Sequence, residues 1–103
     1  PIIGAGTYAD NRSCAVSATG HGEYFIRATV ARNICSRVEL KGQGLAEAAN
    51  DVVMEQLVEM GGSGGVIAVD RQGRIALTFN TSGMYRASID TDGNVYVAIF
   101  KGD

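Results

Sequence analysis

The chain has 103 residues, of which 46% are hydrophobic and 19% charged, with a formal net charge of -2. A chain of this size forms one small domain, and its near-neutral charge argues against a disordered polyanion or a basic nucleic-acid module. No apolar run approaches the roughly 18 residues of a membrane helix, and the first residues lack the basic region of a signal peptide. We therefore predict one soluble domain over residues 1–103, with neither nucleic acid nor membrane as a partner.

The two cysteines, Cys14 and Cys35, do not have the spacing of metal ligands. Cys14 falls in a strand-like run, and Cys35 falls on the apolar face of a predicted helix. We expect both side chains to be buried free thiols, which are typical of a reducing compartment. The sequence thus predicts a cytoplasmic protein without a metal site.

The first half of the chain is predicted to form two strands followed by two helices. Residues 2–8 form an extended segment, and residues 14–18 form a short strand that ends at a glycine turn. Over residues 23 to 38, apolar side chains recur with the spacing of one amphipathic helix. Residues 45–60 predict a second helix. The buried positions expected on this second helix are Leu45, Ala48, Ala49, Val52, Val53 and Met60.

The second half is predicted to form about four antiparallel strands joined by tight turns. Residues 66–69 are a continuous apolar run, typical of a strand that is covered on both faces. Turns at residues 70–73 and 90–94 separate further strand-like runs. Two helices can cover only one face of a single sheet, so this α+β fold is predicted to be an incomplete sandwich.

A glycine-rich turn at residues 19–23 joins the second strand to the first helix and is the strongest candidate for chemistry. Backbone amides at such a turn lack partners and can bind a negatively charged oxygen. One possibility is a bound anion such as phosphate. Another is an oxyanion hole formed by the Gly20 amide and the Thr19 hydroxyl. A purely structural connection would also explain the glycines, and the residues alone leave these alternatives open.

His21 is the only histidine, and a histidine acts as a general base only beside a nucleophile and an orienting group. The sequence identifies neither, so we expect His21 to be a partly exposed residue at the rim of the turn. Arg27 follows Glu23 by four residues, which is the favourable order for an ion pair on a helix. We expect this pair to brace the turn at Thr19.

Four motifs follow one another along the chain. They are Gly4-Ala5-Gly6-Thr7-Tyr8-Ala9-Asp10-Asn11, Ala18-Thr19-Gly20-His21-Gly22-Glu23, Gly61-Gly62-Ser63-Gly64-Gly65-Val66-Ile67-Ala68-Val69-Asp70 and Phe79-Asn80-Thr81-Ser82-Gly83-Met84-Tyr85-Arg86. Together they resemble the β subunit of bacterial isoaspartyl peptidases, also called plant-type L-asparaginases, over essentially the whole chain. The resemblance implies an N-terminal nucleophile hydrolase with an αββα sandwich. It also implies an amidohydrolase that cleaves β-aspartyl dipeptides and L-asparagine without a cofactor.

The resemblance implies specific roles for the glycine-rich turn. In this family a precursor cleaves itself and frees a threonine that serves as nucleophile and, through its α-amino group, as base. Thr19 and Gly20 match the family's oxyanion hole, and the turn through His21 and Gly22 matches the substrate pocket. The nucleophilic threonine, and the arginine and aspartate that bind substrate, lie upstream of the position matching Pro1. We therefore expect a partial domain, the C-terminal part of a β subunit, that is inactive alone.

The resemblance also implies partners for the chain. An α subunit and the remaining β-subunit segment of the same precursor would supply the missing layers, in an (αβ)2 assembly that acts on a small-molecule substrate. Glycosylasparaginase shares parts of the first two motifs and is the nearest alternative. A non-catalytic module that binds an anion at the turn is the alternative from a different functional class.

Overall fold

The computed structural model describes residues 1–103 and has mixed helices and antiparallel strands, which confirms the α+β class. The strands are β1 (Thr7–Ala9), β2 (Cys14–Gly20), β3 (Gly64–Asp70), β4 (Ile75–Phe79), β5 (Gly83–Ile89) and β6 (Val95–Phe100). The helices are α1 (Gly22–Arg27), α2 (Val30–Lys41), α3 (Leu45–Asn50) and α4 (Leu57–Met60). A π-helical segment, Asp51–Gln56, joins α3 to α4.

The main sheet has four antiparallel strands in the order β1-β2-β3-β4. In its central pair, Cys14 lies opposite Asp70 at one end and Gly20 lies opposite Gly64 at the other. The four strands predicted after the helices are confirmed, but β5 and β6 form a separate hairpin instead of extending this sheet. The chain bends away at residues 80–82, between β4 and β5.

The core lies between the helices and one face of the main sheet. Alternate residues of a strand face opposite sides, and Cys14, Val16 and Val66 lie on the helix side, where they are buried. The core residues with no exposed surface are Val30, Ala31, Ile34, Cys35, Ala48, Ala49, Val52, Val53 and Leu57. All nine lie on the helices or the π segment, so the buried apolar stripe of this layer holds it to the sheet.

Residues 23–38, predicted as one helix, form two. Thr29 has a φ of 44°, a left-handed conformation that separates α1 from α2. The amides of Ala31 and Arg32 then donate to the carbonyls of Ala5 and Gly4 at 3.0 and 2.9 Å. The break thus depends on contacts with a distant segment, because residues 28–29 include neither glycine nor proline.

The second predicted helix is continuous in space, and five of its six expected core residues are buried. Met60 is only partly buried, and Leu57 is fully buried in the last turns. A π-helical turn holds more residues than an α-helical turn, so it rotates the residues that follow it. This rotation explains why Leu57 faces the core although the regular helical spacing did not select it.

Cys14 and Cys35 form a disulfide bond with their Cα atoms 5.4 Å apart, so the prediction of free thiols is wrong. Cys14 begins β2, and Cys35 lies on the buried face of α2, which packs on that strand. The pairing depends on how α2 folds back over the sheet, which the sequence spacing of 21 residues does not reveal. Because disulfides are rare in reducing compartments, the two cysteines do not support a cytoplasmic location.

The second face of the main sheet carries exposed apolar side chains. Ile67, Val69 and Ile75 are 48%, 41% and 45% exposed. The strand over residues 66–69 is thus covered on one face only within this chain, as expected of an incomplete sandwich. None of the helices combines the length and the hydropathy needed to cross a lipid bilayer.

Candidate functional site at the end of the second strand

The glycine-rich turn lies between two cavities, each of about 410 Å³. Thr19 and Gly20 end β2 and line both cavities. The first cavity lies on the β1 side and is also lined by Gly6 and Gly22. The second is also lined by His21, and by residues of the loop before β3 and the start of β5. The four residues predicted for the site are therefore brought together around open space.

Thr19 presents its side chain on the face of the sheet that the helices leave open. Val16 and Ala18 face the core on the other side, and strand residues alternate between faces. Thr19 is exposed and pairs with Gly65, which has no side chain to cover it. Its hydroxyl makes no hydrogen bond within the chain, so it is free to donate to a ligand.

The Gly20 amide lies on the β1 side of β2. Ala18 donates its amide to the Gly6 carbonyl at 2.9 Å, and alternate residues of a strand point their amides to the same side. Pairing with β1 begins only at Thr7, opposite Ser17, so β1 offers Gly20 no acceptor. The Gly20 amide and the Thr19 hydroxyl are thus two neighbouring donors without intrachain partners.

Close packing requires glycine at residue 20. Gly20 has a φ of 142°, and a Cβ atom there would contact the Ser63 carbonyl oxygen. It would also lie 2.7 Å from Gly64 Cα and 2.9 Å from Phe25 Cε1. By contrast, a Cβ atom on Gly22 would meet nothing within 4 Å. The site is therefore shaped at Gly20, where the backbone of residues 63–64 comes close to that of β2. Gly22 has no such contact and begins α1.

His21 is exposed at the second cavity, and its Nδ1 lies 3.2 Å from Ser63 Oγ. Its backbone amide donates to the Ser63 carbonyl at 3.0 Å. The remaining lining of the second cavity contains no carboxylate, lysine or arginine. The turn therefore offers neutral donors to a ligand and has no strong base beside the Thr19 hydroxyl, so it can stabilise charge but does not by itself activate a nucleophile.

The expected ion pair between Glu23 and Arg27 does not form. Both side chains are exposed, and the Arg27 guanidinium lies over the Tyr24 ring at 5.8 Å. The prediction that this pair braces the turn is therefore wrong.

The turn is supported instead by residues that are not among the site residues predicted from the sequence. Phe25 packs against the backbone of Gly20 and Gly64, and Ser63 accepts the His21 amide. Asn80 Oδ1 accepts a hydrogen bond from the Gly64 amide at 2.9 Å. Ser63 and Asn80 lie within the third and fourth motifs, so the motifs themselves were the available signal.

Comparison with known proteins places the whole chain in one family. A family model described as asparaginase matches residues 1–99. The chain is 58% identical over 87 residues to the isoaspartyl peptidase of Escherichia coli K12, covering 84% of this chain and 27% of that protein. It is 46% identical over 101 residues to a probable isoaspartyl peptidase/L-asparaginase of Arabidopsis thaliana, covering 98% and 30%.

A bovine isoaspartyl peptidase/L-asparaginase is 38% identical over 103 residues, which cover 100% of this chain and 33% of that protein. The chain thus spans about a third or less of the length of these relatives. The match to the family model covers nearly every residue, including all four motifs and the turn at Thr19. The chain therefore belongs to the asparaginase family.

Proposed function

We propose that this chain supplies the oxyanion hole of an amidohydrolase that cleaves β-aspartyl dipeptides and L-asparagine. The observation that carries the proposal is the pair of unpartnered donors, the Thr19 hydroxyl and the Gly20 amide, between two cavities. Membership of the asparaginase family and the names of the relatives support the choice of amide substrates.

In this reaction a nucleophilic threonine hydroxyl, supplied by polypeptide outside this chain, attacks the carbonyl carbon of the substrate amide. Its proton passes to the threonine's own α-amino group, and the carbonyl oxygen becomes an oxyanion. The Thr19 hydroxyl and Gly20 amide donate hydrogen bonds to that oxygen. The amine then leaves with a proton, and water hydrolyses the resulting ester. One such fixed donor typically contributes about 3 kcal/mol to the stability of the transition state.

The rest of the turn belongs to the proposed substrate pocket. His21 and Gly22 line the two cavities on either side of Thr19 and Gly20. We assign this region to the α-amino and α-carboxylate groups of the substrate, together with residues outside the chain. The α subunit and the remaining β-subunit segment would cover the open sheet face around Ile67 and Val69, in an (αβ)2 assembly.

Replacing Thr19 tests the proposal in the full-length protein. Thr19→Ala removes one donor, so we expect kcat for β-Asp-Leu to fall about a hundredfold or more with a smaller change in KM. Thr19→Ser keeps the hydroxyl and should retain most of the activity. Ser17→Ala, on the same open face two residues earlier, is the matched control and should leave kcat unchanged.

Steady-state kinetics with β-Asp-Leu, L-asparagine and a glycosylated asparagine measure these effects and identify the substrate class. A near-normal kcat for Thr19→Ala, with the first two substrates hydrolysed by the wild type, would contradict the oxyanion assignment. Hydrolysis of the glycosylated asparagine alone would contradict the substrate assignment and favour glycosylasparaginase activity. Absence of all three activities would favour a non-catalytic module.

A further inference from the structure

Asn80 connects three backbone segments through its side chain. It follows β4 and is partly buried. Its Oδ1 accepts the Gly64 amide at 2.9 Å, and its Nδ2 donates to the carbonyls of Val53 and Gly62 at 2.9 and 3.3 Å. Its own amide donates to the Gly64 carbonyl at 3.0 Å. Through Oδ1 and Nδ2, the Asn80 side chain thus binds the main chain on both sides of Ser63, at Gly64 and Gly62.

The π-helical segment provides one of these acceptors. In an α-helix the Leu57 amide would donate to the carbonyl of Val53, four residues earlier. Here it donates to the carbonyl of Val52, five residues earlier. The Val53 carbonyl instead accepts a hydrogen bond from the side-chain Nδ2 of Asn80. Such π turns are frequent near functional sites, and this one supplies an anchor for the loop that contacts the turn.

The loop held by Asn80 has little room to move relative to the turn. Ser63 lies between the two glycines that Asn80 binds, and its carbonyl accepts the His21 amide at 3.0 Å. Gly64 packs so closely on Gly20 that a Cβ atom on Gly20 would lie 2.7 Å from Gly64 Cα. A shift of the loop would therefore shift the backbone of Gly20 and His21.

We infer that Asn80 is a positioning residue that fixes residues 62–64 and, through them, aims the Gly20 amide and the Thr19 hydroxyl. This inference rests on the proposed function. Donors in an oxyanion hole act only when they are fixed at the position where charge develops, and a displacement of about 1 Å can cost about a hundredfold in rate. Asn80 reaches the reaction only through the loop, because it lines neither cavity beside Thr19.

Two variants of the full-length protein test the role of Asn80. Asn80→Ala removes all three side-chain hydrogen bonds. Asn80→Asp keeps the shape and the acceptor for the Gly64 amide, but places a carboxylate against the carbonyls of Val53 and Gly62. For both variants we expect kcat for β-Asp-Leu to fall at least about tenfold while KM changes less than about threefold. We also expect faster hydrogen exchange at the His21 amide in both variants, and at the Gly64 amide in Asn80→Ala, where that amide loses its acceptor.

Asn33→Ala is the matched control. Asn33 is also partly buried and binds the Ala28 carbonyl, Gln56 and Arg37 at 3.3, 2.9 and 3.1 Å, without contacting the turn or its loop. It should lower Tm by an amount comparable to that of Asn80→Ala, with kcat within about twofold of the wild type. An equal loss of kcat in Asn33→Ala would show a general effect of destabilisation and would overturn the inference.

The hydrogen-exchange measurement separates this inference from the proposed function. If exchange at His21 and Gly64 is unchanged in both Asn80 variants, the Asn80 side chain does not fix residues 62–64, whatever the activity of the variants. If exchange rises in the Asn80 variants but their kcat stays normal while Thr19→Ala is inactive, Asn80 does fix residues 62–64 but does not position the donors for the reaction. If the wild type hydrolyses neither amide substrate, the proposed function fails, and the positioning role fails with it.

Discussion

The two ends of the β2–β3 pair use their polar groups in opposite ways. At one end Cys14 lies opposite Asp70, the cysteine is bonded to Cys35, and the Asp70 carboxylate accepts three hydrogen bonds from Gln72 and Arg74. At the other end the Thr19 hydroxyl and the Gly20 amide have no intrachain partner. The Asp70 side chain is buried, where polar groups are usually paired, whereas Thr19 and Gly20 are exposed. The first end therefore serves stability, and the second is the end at which we propose that a ligand binds.

The largest effect should come from filling the space at the second end. A Cβ atom on Gly64 would contact the Thr19 carbonyl oxygen and lie 2.7 Å from Phe25 Cζ and 2.9 Å from Gly20 Cα. Gly64→Ala must therefore displace the turn, and we expect kcat of the full-length protein to fall about a hundredfold or more. Steady-state kinetics and thermal unfolding measure the loss.

Gly73→Ala is the control for the glycine substitution. Gly73 has a φ of 81°, but a Cβ atom there would meet nothing within 4 Å. It should cost about 1–2 kcal/mol of backbone strain and leave kcat unchanged. Normal turnover in Gly64→Ala would show that the turn tolerates displacement and would break the contrast between the two ends.

The position of residues 19–22 at one turn could be predicted from the sequence. The contacts from distant residues that support this turn could not. A strand followed by glycines and a helix places Thr19, Gly20, His21 and Gly22 at one turn, because the order of neighbouring residues determines it. The contact between His21 and Ser63 joins residues 42 positions apart. Such a contact depends on the register of β2 with β3, which local patterns do not specify.

The same distinction holds for the fold. Strands and helices were predictable where apolar residues follow a regular period, as in residues 45–53. The break at Thr29 and the disulfide were not, because the first depends on backbone contacts with residues 4–5 and the second on α2 packing over β2. Leu57 was missed because the π segment changes the period within one continuous helix.

Removing the disulfide should affect stability and leave chemistry intact. The bond closes a loop across a sequence separation of 21 residues, for which chain-entropy reasoning gives about 3 kcal/mol. We expect the double variant Cys14→Ala/Cys35→Ala to lose about this free energy of unfolding, measured by urea denaturation. At temperatures well below its Tm, kcat should match the wild type. A loss of kcat like that of Gly64→Ala would show that the two ends are coupled.

The smallest effect should come from the Asp70 carboxylate, whose side chain is only 3% exposed. Burial disfavours its ionised form, but the hydrogen bonds from Arg74 and Gln72 together outweigh burial and lower the pKa of Asp70 below its usual value. Asp70→Asn keeps the shape of the turn and removes the charge. We expect it to lose about 1 kcal/mol of stability near pH 7, with kcat unchanged.

The pH dependence identifies the charge as the cause. A carboxyl group whose pKa is lower in the folded state stabilises the fold at pH values above its unfolded pKa, near 4. That contribution is lost as pH falls through the lower folded pKa. The stability difference between wild type and Asp70→Asn should therefore be constant from about pH 5 to 7 and shrink below about pH 4. Asp90→Asn, in a similar but exposed turn, should show a smaller difference. A difference that persists at low pH would mean that the turn depends on shape alone and not on the ionised carboxylate.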